Sequence, residues 1–376
     1  MIKTPVNKHR TIFILIIVFL LTSSSGFCGN KSKYTKYQRW NFNISQSYVY
    51  DNNILKYSDK YIDMFTSDLN QGRFHINTYD DFVLYNTLST SFTTNIVKNL
   101  LTTVNINGTY KIFTHNSIKN WGQVNISVKQ QINKRAYAKL FYSYLPDYYI
   151  RHFRDKDWVE VYGLIPQTFQ PFSFTKNSYG LRLKNTFFSN TKVFLTISYM
   201  QFFYNRHFTE YDCNNISGDL KINHSINKTF GIEGGYRFIN SNAKGYDQPD
   251  ENKETSDDAD ASFYENIVFL GLNVNMPHVF KLKNSINFKC IYGNRKYTTN
   301  KNVLQDMLHK GRIDNNFRIY FSYKIKPVKN FTVSVFYNYN QRVTNSDYNI
   351  NKQYISNEKD YSQYQTGLTI AYKLKL

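Results

Sequence analysis

The chain has 376 residues, 20% of them charged, with a formal charge of +20 and a mean hydropathy of −0.53, yet 33 Tyr and 30 Phe bring the aromatics to 18%. That length is ample for a sizeable core, and so many aromatic residues in a hydrophilic chain suit pleated strands better than helices. Beyond Leu21 no apolar run reaches the ~18 residues of a helical span, which excludes a bundle of membrane-crossing helices.

The N-terminus carries Lys3, Lys8 and Arg10, then the apolar run Thr11 to Leu21, then small residues from Ser23 to Gly26. That order predicts a secretory signal peptide over residues 1–26, with cleavage as late as 28, and a short periplasmic segment over 27–39. Cys28 raises the question of lipidation, but the bulky Phe27 before it departs from the small residue of a bacterial lipobox. Cys213 and Cys290 are isolated thiols, too few for a disulfide framework and without metal-ligand spacing.

From Trp40 onward, alternation repeats to the end of the chain. Residues 40–50, 82–92, 100–112, 124–132, 136–145, 179–187, 193–199, 216–226, 230–238, 264–276, 286–292, 317–325, 331–340 and 364–376 each read as a strand of period two. In FRIYFSYKIKP, for example, Phe317, Ile319, Phe321, Tyr323 and Ile325 share one face, and Arg318, Tyr320, Ser322 and Lys324 the other. Short turns such as residues 133–135 and 227–228 alternate with long polar connections at 51–77, 115–120, 147–177, 205–214, 240–262, 298–312 and 342–360. About fourteen strands result, with 12 or 16 as the neighbouring even counts, and their lengths suit tilted membrane strands. The predicted fold is all-β: a transmembrane antiparallel up-and-down barrel over residues 40–376, both termini on the short-turn side.

This layout resembles the outer-membrane β-barrel proteins of Gram-negative bacteria in architecture over nearly the whole mature chain, without pointing to a particular family. Such proteins end in an alternating strand read by the barrel-assembly machinery. Here Tyr372, Leu374 and Leu376 match the alternation, while Leu376 departs from the usual terminal aromatic. The resemblance implies outer-membrane lipids and that machinery as partners. Plugged transporters of this class carry an N-terminal hatch, for which residues 27–39 leave no room, so a passive channel is expected over gated uptake. The competing expectation is a non-conducting barrel serving surface adhesion or scaffolding a surface complex.

By parity the inward face carries Lys111, Lys129, Lys139, Arg182, Lys184, Lys221, Arg237, Lys289, Arg295, Arg318, Lys324 and Lys373, against Asp81, Asp219, Glu233 and Glu265. A cationic lumen concentrates anions, so small anionic or polar solutes are the expected cargo; a solvated lining without selectivity is the alternative. In the first long loop, Asn53 is a candidate helix cap that sets Ile54, Tyr57, Tyr61, Ile62 and Phe65 along one side. The aromatic segment 148–174, broken by Pro166 and Pro171, is a candidate constriction folded into the mouth. Residues 247–260 hold seven acids and one Lys. Their spacing fits no calcium loop, which predicts a solvated, disordered loop. The histidines at 75, 115, 152, 207, 224, 278 and 309 are scattered without a catalytic motif, so no enzyme, cofactor or metal is expected, nor any nucleic-acid partner for an exported barrel.

Overall fold

The computed structural model of the protein describes residues 38–69, 72–97, 100–279 and 282–376; the expected signal peptide and Cys28 lie outside them. Fourteen strands follow one another: β1 Gln38–Asp51, β2 Asp81–Val97, β3 Leu100–Phe113, β4 Trp121–Gln131, β5 Tyr137–Arg154, β6 Phe169–Phe187 and β7 Thr191–Tyr204 make the first half. The second half is β8 Cys213–Ser225, β9 Phe230–Ala243, β10 Phe263–Val279, β11 Leu282–Tyr297, β12 Arg312–Lys326, β13 Phe331–Ser346 and β14 Tyr361–Lys375. Each pairs antiparallel with its sequence neighbours, and β1 joins β14 from Asn41 opposite Lys375 to Asp51 opposite Gln365, closing the sheet. The expected count of fourteen therefore holds.

Alternation decides which way each residue points. Ile44, Leu88, Ile106, Leu195, Ile216 and Leu270 stand exposed on the outer wall, each between 45 and 67% accessible. An apolar outer surface of this extent needs lipid to cover it. On the inner wall, small polar residues face one another across strands: Ser47 and Thr369 (2.8 Å), Thr87 and Thr109 (3.1 Å), Ser198 and Ser217 (2.8 Å). Closure pairs every strand on both sides, which is the condition for backbone to sit in hydrocarbon. Among the described residues no helix is long and apolar enough to cross a membrane.

The short turns have a local cause. Asn133 Oδ1 accepts from the amides of Arg135 and Ala136, and Asn227 Oδ1 accepts from those of Thr229 and Phe230. Each asparagine thus satisfies the donors that a tight reversal would orphan.

Two long connections differ from expectation. The segment 147–177 is mostly strand: β5 runs on to Arg154 and β6 starts at Phe169, leaving residues 155–168 as the connection. Cross-strand ring pairs extend this hairpin, Tyr148 tilted against Phe174 (5.3 Å) and Phe153 edge-on to Phe172 (5.5 Å). Pro146 has no amide to donate, and the register shifts next to it, between Leu145 and Tyr148, with Asp147 at φ 37°. The pause in alternation there read as the end of a strand. In the first loop the helix is Asp59–Thr66, not a helix capped by Asn53. Asn53 is buried and holds the chain before the helix, its Oδ1 accepting from Tyr57 N and its Nδ2 donating to Tyr57 O, both at 2.8 Å.

Candidate functional site: a cationic lumen under a loop roof

Register places all twelve sequence-predicted cations at inward positions. Lys129, Lys139 and Arg182 are direct neighbours across β4, β5 and β6. Lys184 neighbours Phe194, which neighbours Lys221. Lys111 lies over the rings of Tyr85 (3.7 Å) and Trp121 (4.7 Å), and Lys324 and Lys373 stand opposite Ser334 and Asn43. Lys375, on the polar face of the last strand with Lys373, sits inward as well, and so does Arg39, one residue before the expected start of the first strand.

Several of these charges are paired. Arg237 meets Asp219 at 2.7 Å, Glu233 lies between Lys221 (2.5 Å) and Lys289 (3.0 Å), and Arg295 meets Glu265 at 2.8 Å. Lys129, Lys139, Arg182, Lys184, Arg318 and Lys324 form no ion pair among the described residues, although Arg182 Nε donates to Thr196 Oγ1 at 3.0 Å. The inner wall therefore carries a one-signed strip on β4 to β6 and a separate free guanidinium on β12. Sequence could list these charges but not say which of them neutralise one another.

Cavities open along this wall. One of about 370 Å3 includes Arg39, Lys129 and Lys184 near the short turns; one of about 300 Å3 lies between Arg182, Lys221, Arg237 and Arg318; and one of about 550 Å3 is lined by Lys289, Tyr320 and Lys324. Three inward phenyl rings lie flat over inward glycines of adjoining strands, Phe141 over Gly180, Phe269 over Gly235 and Phe336 over Gly367. A Cβ would meet the ring at 2.1, 2.4 and 2.7 Å respectively, so only glycine lets these rings lie against the wall and out of the passage.

At the long-loop end the lumen is filled. Ile54, Leu55, Tyr57, Tyr61 and Ile76 of the first loop pack onto the inward side chains of Val49, Val83, Phe113 and Tyr149, burying Val49 and Val83 completely. Arg151 fixes this segment by donating to the carbonyls of Leu55 (2.6 Å) and Lys56 (3.1 Å) while stacking over Tyr57. His75 stacks on His152 at 3.6 Å. The helix Asn349–Lys359 of the last loop closes over from the other side. There Tyr61 donates to Glu358, Lys60 meets Glu358 at 2.8 Å, Ser58 donates to Asn357 O, and Asn351 donates to Met307 O and Lys310 O. The constriction expected from segment 148–174 is thus supplied by the first loop, because that loop carries the apolar stripe matching the inner wall. The extended β5–β6 hairpin braces it through Tyr149, Arg151 and His152.

The acid-rich connection before β10 is not the disordered loop that its composition predicts. Ser256, Asp258 and Asp260 are buried, Asp260 N donates to Asp306 Oδ2, and Lys301 Nζ donates to Ser256 O and Asp258 O. Asp247 and Asp258 converge with Asp157 of the β5–β6 connection, their carboxylate oxygens within 4.8 Å of one another. Burial, then Asp258 and Asp157, push Asp247 up to about 7; burial also pushes Glu210 up to about 9. Linear spacing could not reveal Asp157, which arrives from another loop. The same holds for His207, which meets Asp155 at 2.6 Å from a different loop, whereas His309 meets Asp306 at 2.8 Å within one loop, three residues apart.

The candidate assembly residues Tyr372, Leu374 and Leu376 face outward, and the amides of Trp40 and Leu376 each donate to the other's carbonyl at 3.0 Å, ending the seam. No protein family matches the sequence, and no curated relative does. Among solved structures, the chain is similar to the outer-membrane channel DcaP of Acinetobacter baumannii, at 10% identity over 92% of this chain and 99% of that one, with a TM-score of 0.45. It is also similar to a bacterial polysaccharide outer-membrane secretin (6% identity, 89% and 98% covered, TM-score 0.44). A third is an anion-selective porin from Comamonas acidovorans (8% identity, 91% and 100% covered, TM-score 0.41). The class rests on the chain's own geometry: a closed antiparallel barrel with an apolar outer wall, a polar inner wall, short turns at one end and long loops at the other. The protein is a fourteen-strand transmembrane β-barrel of the outer-membrane type.

Proposed function

We propose that the barrel is a channel for small anionic or polar solutes, with the free cations of its inner wall supplying the preference. The observation that carries this reading is the surplus charge at mid-lumen. Arg182, Lys221, Arg237, Lys289 and Arg318 face only Asp219 and Glu233, leaving three positive charges unbalanced. At about 8 Å, one Debye length in 0.15 M salt, three unit charges in water act on a monovalent ion with ~0.6 kcal/mol after screening. Opposite signs for anion and cation give a preference of about sevenfold, and the low-dielectric wall adds to it. Reversal potentials of purified protein in planar bilayers under a salt gradient test this. Arg182→Gln with Arg318→Gln should bring the preference down to about twofold, since neither arginine has a carboxylate partner to leave behind. Arg237→Gln is a poorer choice because it frees Asp219.

The roof over the mouth favours a second reading, a non-conducting barrel whose loops form a rigid surface for adhesion or for a surface complex. Conductance in the wild type, or once the roof is loosened, decides for the channel. Silence in both decides for the scaffold.

A further inference from the structure

At mid-lumen the inner wall gathers apolar side chains among its cations. Phe194, Ile267, Phe269 and Ile291 all line the cavity of about 300 Å3 at mid-lumen, at positions where a water-filled passage calls for polar side chains. Register interleaves them with cations: Phe194 stands between Lys184 and Lys221, Ile267 opposite Arg237, and Ile291 opposite Arg318. Phe269 lies flat over Gly235 with the Lys289 ammonium 4.2 Å above its ring. Apolar surface and unpaired guanidinium groups are thus presented together to one small space.

A hydrated inorganic anion has use for the charges alone. A neutral polar solute has no use for the free guanidinium of Arg318 or for that of Arg182, which is held only by Thr196. We infer that this cavity is a binding site for an organic acid of single-ring or short-chain size, whose carboxylate meets Arg182 and Arg318 and whose apolar body lies on Phe194, Phe269 and Ile291. A planar guanidinium suits a carboxylate better than an ammonium does, because it offers two parallel donors. The volume lies at the lower end of small-ligand sites, which sets the size class. The inference takes from the channel reading only the direction of access through the lumen; binding itself does not require conduction.

The test is calorimetric titration of the folded, detergent-solubilised protein with phenylacetate, acetate and phenylacetamide, together with conductance in the presence of each. Acetate keeps the head group without the body, and phenylacetamide keeps the body without the charge. Phenylacetate should bind at least tenfold more tightly than either, with one site per barrel. Arg182→Gln with Arg318→Gln should weaken phenylacetate about tenfold and leave phenylacetamide unchanged. Phe194→Ser should weaken phenylacetate and leave acetate unchanged, with heat-modifiable migration confirming that each variant is folded. Equal binding of phenylacetate and acetate, or of phenylacetate and phenylacetamide, overturns the site in the wild type alone, whatever the variants do. Selective binding without conductance keeps the site and removes the channel; conductance without selective binding keeps the channel and removes the site.

Discussion

Replacing Tyr61 by Ala should open the roof. The Tyr61 side chain is 1% exposed, packs against Tyr57 with ring centres 5.7 Å apart, and carries the Arg73 guanidinium 4.5 Å over its face. Its hydroxyl donates to Glu358, which is otherwise held by Lys60 at 2.8 Å, so this one side chain ties the first loop to the last. Truncating a buried aromatic costs about 3–5 kcal/mol through lost transfer energy and the cavity left behind. A roof that opens locally pays that cost in full from its own stability, so a loss of ~3 kcal/mol raises the open fraction more than a hundredfold. Tyr61→Phe keeps the ring and should shift the balance less, by ~1.5–3 kcal/mol, the worth of one hydrogen bond to a charged acceptor. Single-channel recording should show a larger or more frequently open state for the Ala variant, and limited proteolysis should cut within residues 59–66 faster. Conductance and cleavage matching the wild type, in a barrel that still folds, would show that the packing of this loop is not what limits the mouth.

On the outer wall, Leu270→Arg places a charge on a strongly exposed mid-strand position and should cost ~2–4 kcal/mol at the bilayer centre, seen as a loss of heat-modifiable barrel on gels. Gly180→Ala forces the Phe141 ring off the wall, so conductance should fall, and adding Phe141→Ala should restore it. The acidic loop should respond to pH with a definite sign. Asp247 and Glu210 hold protons more tightly folded than unfolded, so their packing is favoured below pH 4 and is progressively lost as pH rises, for Asp247 through about 7. Proteolysis within residues 247–260 should therefore be faster at pH 8 than at pH 5.

The barrel was legible because each strand repeats one physical requirement, apolar outside and polar inside, and a period of two survives any error at the strand ends. That is why Arg318 and Lys184 fall on the inner wall as alternation predicts. The extended β5–β6 hairpin was misread at Pro146, where a bulge interrupts the pattern that β5 then resumes. The roof was half legible: Ile54, Tyr57 and Tyr61 announce an apolar stripe, but nothing local says that Val49 and Val83 wait to receive it. Contacts between loops far apart in sequence, such as Asp157 with Asp247 or Tyr61 with Glu358, leave no periodic trace at all.

The seam between β1 and β14 has a consequence for how the molecule comes into being. It zips eleven residue pairs between the two ends of the barrel, whereas every other strand joins its immediate predecessor in the chain. Bringing ends a few hundred residues apart together costs ~5 kcal/mol of chain entropy, against far less for each hairpin. Local pairings therefore form first, and the seam comes last as a single cooperative event. Until then the sheet is a curled ribbon with two bare edges whose amides and carbonyls need a host other than hydrocarbon. Whatever holds those edges in the cell sets the pace of maturation, and substitutions in β1 or β14 should slow it more than equivalent ones in β7 or β8.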